Sequence, residues 1–155
     1  MKRRLARPLV LAIIATASIL ASTVYAQSAA KPSLYKRLGG YDAIAAVTDD
    51  FIGRLLGDPR FAKFFAGAST DSKGKIRQHV VDQLCNATGG PCLYTGRTMK
   101  QSHAGLGITE EDWNASVKHL VASLDKFKVP EAEKAELLAI AGTLKADIVE
   151  KNEKK

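Results

Sequence analysis

The chain of 155 residues is poor in the side chains that most often carry chemistry: two cysteines, three histidines, two methionines and one tryptophan. It contains no Cys-x-x-Cys and no Cys-x-x-Cys-His, which excludes a thioredoxin-type redox pair and a covalent c-type haem attachment. It also lacks an HExxH pair, a glycine-rich phosphate loop, a GxSxG elbow and any internal repeat. No alternation of apolar and polar residues between turn signals is long enough to argue for a sheet. Beyond the closing KNEKK there is no Lys/Arg-rich cluster, so nothing points to a nucleic-acid partner.

What is present begins with MKRRLARPLVLAIIATASILASTVYAQS, a basic start, an apolar run and a small-residue exit. That pattern is a secretory signal, with cleavage expected after Ala26. The apolar run is short of the about 20 residues a membrane span needs, and membrane attachment is expected only if the signal is not cut. Without Lys2, Arg3, Arg4 and Arg7 the formal charge of +7 falls to +3, so the basic balance belongs largely to the signal. The organisation read from sequence is a signal peptide over 1–26, a flexible lead over 27–32, one domain over 33–150 and a frayed tail over 151–155. Export, into a bacterial periplasm, is the expected location. In such a compartment Cys85 and Cys92 are expected to pair, pinning the end of a helix to the loop GGPC; two buried free thiols are the competing reading.

From Ser33 onward the periodicity is helical, and the class is all-α. SLYKRLGG reads as a short helix stopped by Gly39 and Gly40. A second helix, from about Asp42 to the GDP of 57–59, places Ile44, Val47, Phe51 and Leu55 at spacings of three and four. FAKFFAG supplies Phe61, Phe64 and Phe65 on a short turn. A third helix, from about Thr70–Ser72 to Thr88, has the stripe Ile76, Val80, Leu84, with His79 and Gln83 at its border. Thr109-Glu-Glu-Asp112 has the capping pattern of a fourth, with the stripe Trp113, Val117, Leu120, Val121, Leu124. Pro130 opens a last helix carrying Leu137, Ala141, Leu144 and Ile148.

The chemistry centres on YTGRTMKQSHAGLGIT, residues 94–109. On a helix, Met99, His103 and Leu106 share one apolar face, and a buried neutral imidazole needs a partner for each nitrogen. Two readings of His103 stand: a core histidine bonded to a carbonyl, or an axial ligand to haem iron whose second nitrogen is held by one. His79, tilted inward from the third helix, is the second candidate. His119 lies off its helix's stripe and is expected in solvent. A zinc site wants four ligands, and the inward positions do not offer them.

LYKRLGG, FAKFF, the Gly-Gly-Pro after the third helix and TGRTMKQSHAGLGI, in this order, resemble an exported form of a truncated haemoglobin of the first group. The resemblance spans Ser33 to Glu150 and implies a two-over-two helical sandwich holding non-covalent haem b. It implies that His103 is the proximal iron ligand and that Phe65 packs on the haem face. Phe51, Phe64, Ile76, Val80, Leu84, Met99 and Leu106 become expected haem contacts, with Lys100, Lys75 or Arg97 at the propionates. The distal side departs from the family: Ile52 stands where many members have tyrosine, Ile76 and Val80 where glutamines are common. His79 falls where some cyanobacterial members place a sixth iron ligand, and Ala146 where such members can carry a histidine that attaches to haem. The implied function is binding of dioxygen, nitric oxide or carbon monoxide, with nitric oxide detoxification or peroxidase activity as possible enzymatic roles, served by an unidentified reductant. Two alternatives remain: a haem electron-transfer or redox-sensing protein with two histidines on iron, and a cofactor-free, disulfide-pinned interaction domain.

Overall fold

The computed structural model describes residues 31–150, and the expected signal peptide, most of the lead and the tail lie outside them. The elements are α1 (Leu34–Arg37), α2 (Gly40–Gly57), a 3-10 helix (Pro59–Phe65), α3 (Thr70–Ala87), α4 (Met99–His103), α5 (Glu110–Lys126), α6 (Glu131–Thr143) and α7 (Lys145–Ile148). No strand occurs among the described residues, as the sequence leads one to expect. No helix among them is long and apolar enough to cross a membrane.

Each boundary has a local cause. Ser33 caps α1 by accepting from the Lys36 N–H. The expected stop at Leu-Gly-Gly is a corner: Gly39 and Gly40 turn the chain at φ of +98° and +81°, left-handed values that a side chain would oppose. α2 therefore starts at Gly40, two residues before the expected Asp42. Ser69, rather than a residue of 70–72, caps α3 by accepting from Ser72 N–H. Thr98 with Gln101, and Thr109 with Asp112, form reciprocal capping boxes at the heads of α4 and α5. The expected single last helix is two, because the Leu144 N–H turns back to the Ala141 carbonyl and tightens the chain there.

Two buried clusters hold the helices. Leu34, Val47, Leu120, Leu124 and Leu137 join α1, α2, α5 and α6. Ile44, Ala45, Val81 and Cys85 join α2 to α3. Ion pairs and hydrogen bonds tie α2 to its neighbours. Asp49 meets Arg77 of α3 at 2.6 Å, while Asp50 accepts from Ser123 of α5 at 2.8 Å and Asp58 from His119 at 2.8 Å. α5 thus runs antiparallel to α2. Of the lead, Lys31 pairs with Glu136 of α6 and the Pro32 carbonyl accepts from Arg37.

The sequence places the inner face of α3 one residue away from where it lies. Val81 and Cys85 are fully buried, whereas Val80 and Leu84 are half-buried and Ile76 is 38% exposed. The helix therefore carries two apolar faces, one against α2 and a second that the core only partly covers. Leu84 reaches both clusters, which explains why the expected stripe looked like the inner one.

Candidate haem site

α4 is a helix of five residues, too short to be stable by itself. Its capping box at Thr98 and its packing on α7 hold it, and the Glu150 N–H bonded to the Ile108 carbonyl at 2.9 Å closes the same corner. His103 is its last residue and is half-buried. Its Nδ1 lies 2.8 Å from the Met99 carbonyl oxygen. A carbonyl only accepts, so Nδ1 carries the proton and donates, and Nε2 is left with its lone pair. The bond runs back one turn of α4, so it fixes the ring relative to its own helix. Leu106 departs from the expected common face: the helix ends at His103, and the Leu106 N–H bonds to the His103 carbonyl in the turn that follows. It is 39% exposed.

The other expected contacts lie on four elements. Phe64 and Phe65 close the 3-10 helix, both half-buried, while Phe61 of the same turn is the one in the core. Phe51 packs partly on the first buried cluster from α2. Ile76 and Val80 stand on the second apolar face of α3, and Met99 is half-buried at the head of α4. Of the expected cations, Lys75 is turned to Asp71 at 2.8 Å, one turn back on α3. Lys100 and Arg97 are exposed and form no ion pair among the described residues.

His79 differs from the inward tilt expected of it. It is exposed, and its ring stands edge-on to Tyr94 with centroids 6.1 Å apart and planes at 77°. His119 differs too: Nε2 donates to Asp58 Oδ2 at 2.8 Å and the ring packs edge-on to Phe61 at 5.8 Å. The hydrogen bond from His119, followed by that from the Arg60 N–H, holds the Asp58 carboxyl below its ordinary pKa. Neither aromatic neighbour was visible in the sequence, because both rings lie on other elements. Cys85 and Cys92 are joined, with Cα atoms 5.7 Å apart, so the end of α3 is tied to the loop as expected.

The donor set discriminates between cofactors. No group of three or more His, Cys, Asp or Glu is placed to hold a metal among the described residues, so an all-protein metal centre has no ligands. One histidine with a free Nε2 lone pair, apolar surface on α3 beyond what the core covers, and unpaired cations at Arg97 and Lys100 fit a flat, apolar macrocycle with an acidic edge and a metal needing one axial nitrogen. Haem has that character.

Comparison with known proteins bears on this fit. Residues 33–150 match the bacterial-like globin family. The group 1 truncated hemoglobin of Mycolicibacterium paratuberculosis is 34% identical over 116 residues, covering 75% of this chain and 83% of its own. That of Synechocystis sp. is 37% identical over 114 residues, covering 71% and 90%. Among solved structures, the Fe(III) form of truncated hemoglobin from Tetrahymena pyriformis superposes with a TM-score of 0.71 at 26% identity, covering 77% of this chain and all of its own. The 2/2 hemoglobin of Synechococcus sp., in the cyanomet state with covalently attached heme, superposes with a TM-score of 0.69 at 29% identity, covering 76% and 98%.

Proposed function

Because the chain belongs to the bacterial-like globin family, with group 1 truncated haemoglobins as its relatives and a haem cofactor as its inheritance, we propose that it binds diatomic gases at a haem held by His103. The observation that carries the reading is the Met99 carbonyl on Nδ1, which directs the proton away from Nε2 and fixes the ring's orientation. When bound, haem iron supplies an open coordination position for a gas and one-electron redox chemistry.

The remaining residues set what happens around it. Phe51, Phe64, Phe65, Ile76, Val80, Leu84, Met99 and Leu106 offer the apolar wall, and Lys100 with Arg97 the cationic edge. Ile52, buried in α2, together with Ile76 and Val80, leaves the distal wall without the tyrosine and glutamine donors common in the family. His79 is then the principal polar group available, either as one hydrogen-bond donor to a gas or as a ligand itself. Its place beside Tyr94 supports an iron without a second histidine ligand and puts gas binding ahead of electron transfer. Ala146 supports a haem held without a covalent bond. Reversible binding needs nothing more, whereas conversion of nitric oxide to nitrate needs a reductant partner.

The reading includes export, supported by the pattern of residues 1–26 and by the Cys85–Cys92 pair, which an oxidising compartment sustains. A cofactor-free interaction domain has less support, because the relatives matched across most of the chain are haemoglobins.

The test is haem content. His103→Ala is expected to lose most of its haem on purification or reconstitution; a variant with full content and an unchanged spectrum defeats the assignment. In the wild-type chain, ferrous bands that shift on adding carbon monoxide are expected, and a colourless chain under the same conditions returns the case to the empty domain.

A further inference from the structure

The segment between α3 and α4 is tied back to α3 by three contacts, two at Cys92 and one at Tyr94. Cys85 is bonded to Cys92. The Asn86 side-chain amide donates to the Cys92 carbonyl at 3.0 Å. The His79 ring, two turns earlier on the same helix, meets the Tyr94 ring at 6.1 Å. Tyr94 is itself held from two sides. Its hydroxyl donates to the Arg97 carbonyl at 2.5 Å, and its ring lies so close over Gly96 that a Cβ there would sit 2.4 Å from the phenol oxygen. Burial raises the phenol's pKa.

His79, by contrast, has little else to hold it. It is exposed and makes no hydrogen bond or ion pair among the described residues, so the edge-to-face contact with Tyr94 is the specific interaction acting on its ring. We propose that Tyr94 is a positioning residue: its ring is the resting place of the His79 imidazole, and the disulfide-closed segment presents that ring to α3. The inference rests on the haem reading above. His79 then divides between two places, against Tyr94 or toward the iron, and whatever weakens the first populates the second. Because the same segment leads through the Thr98 cap into α4, the rest for the distal-side histidine and the helix bearing His103 are built on one short stretch of chain.

The experiment uses the haem-loaded mature chain. Tyr94→Leu removes the aromatic ring, and the ratio of six- to five-coordinate iron in the ferric and ferrous spectra is expected to rise roughly 2- to 10-fold. Carbon monoxide combination should slow by a similar factor, since His79 must leave before the gas binds. Tyr94→Phe keeps the ring and should stay near wild type. A Cys85→Ser/Cys92→Ser chain should move in the same direction as Tyr94→Leu. In a His79→Leu background the Tyr94 substitutions should change nothing.

An unchanged coordination ratio and rate in Tyr94→Leu overturn the inference, as does an effect that persists without His79. A nuclear Overhauser contact between the His79 and Tyr94 rings reads the resting place independently of coordination, and its absence overturns the inference as well. A wild-type chain that takes up no haem overturns the haem reading, and the ring contact is then judged by the Overhauser measurement alone.

Discussion

Thr48 lies on α2, one turn before Ile52, fully buried, and its hydroxyl has no hydrogen-bond partner among the described residues. A buried hydroxyl left unpaired costs about 1–3 kcal/mol, and an apolar group of the same shape removes that cost. Thr48→Val is therefore expected to raise the stability of the haem-free chain by about 1 kcal/mol in urea denaturation. Equal or lower stability would show that the hydroxyl is partnered in solution. Four residues on, Ile52 is 9% exposed, and the resemblance to truncated haemoglobins sets it where many members are expected to carry tyrosine. Placing a hydroxyl there should restore one hydrogen bond to a bound gas, so Ile52→Tyr is expected to slow dioxygen release about 10-fold in stopped-flow exchange. Release that is no slower would mean the α2 side chain at 52 does not face the gas. At this scale the sequence was a partial guide. His103 could be singled out from its setting in residues 94–109, but the partners that decide the states of His79 and His119 belong to elements far away in the chain. The periodicity of one helix carries no information about the ring that a loop will place beside it.

Between elements, carboxylates joining α2 to α5 are among the contacts that set the acid limit of the fold. Asp50 is held well below the ordinary aspartate range, chiefly by the hydrogen bond from Lys126, then by those from Arg54 and Ser123. Asp58 is lowered chiefly by His119. A depressed carboxyl contributes stability that is present above its unfolded pKa of about 3.9 and is lost as pH falls through its folded value. Thermal stability should therefore be level above about pH 5 and fall progressively below about pH 4. Asp50→Asn should be less stable at neutral pH and show a shallower acid limb; an unchanged slope would mean that Asp50 is not among the groups taking up the proton. The disulfide works on a different joint, between α3 and the loop before α4. Closing so short a loop is worth about 2 kcal/mol in chain entropy, and Cys85→Ser/Cys92→Ser should lose roughly that much. The helices were the most legible level of the sequence, because caps such as Thr109-Glu-Glu-Asp112 and stops such as Leu-Gly-Gly act locally. α3 was misread by one residue because Ile76-Val80-Leu84 and Val81-Cys85 are both apolar, and only the position of α2 decides which of the two is inside.

For the molecule as a whole, the distribution of buried side chains separates a frame from a site. Between them the two core clusters draw on α1, α2, α3, α5 and α6, whereas α4 and α7 contribute no buried residue. α4 leans on α7, and α7 on α6, so the helix that carries His103 is attached to the frame through an intermediary and through the strap from α3. The family's fold could be read from motif order, but this division could not, since Met99, His103 and Leu106 have the composition of core residues. Anything that binds the folded chain and not the unfolded one stabilises the elements it touches, by an amount that grows with its concentration over its dissociation constant. Haem should therefore act unevenly. In hydrogen exchange on the haem-free chain, the amides of α2 and α5 are expected to be the slowest, while those of α4 and of the first two turns of α3 exchange through local opening. Loading with haem should slow α4 and the start of α3 by a larger factor than the centre of α2. His103→Ala, even when supplied with excess haem, should leave α4 as fast as in the empty chain. Equal protection of all helices on loading would mean that α4 is already part of the frame, and that the haem stabilises one cooperative unit in place of completing an open site.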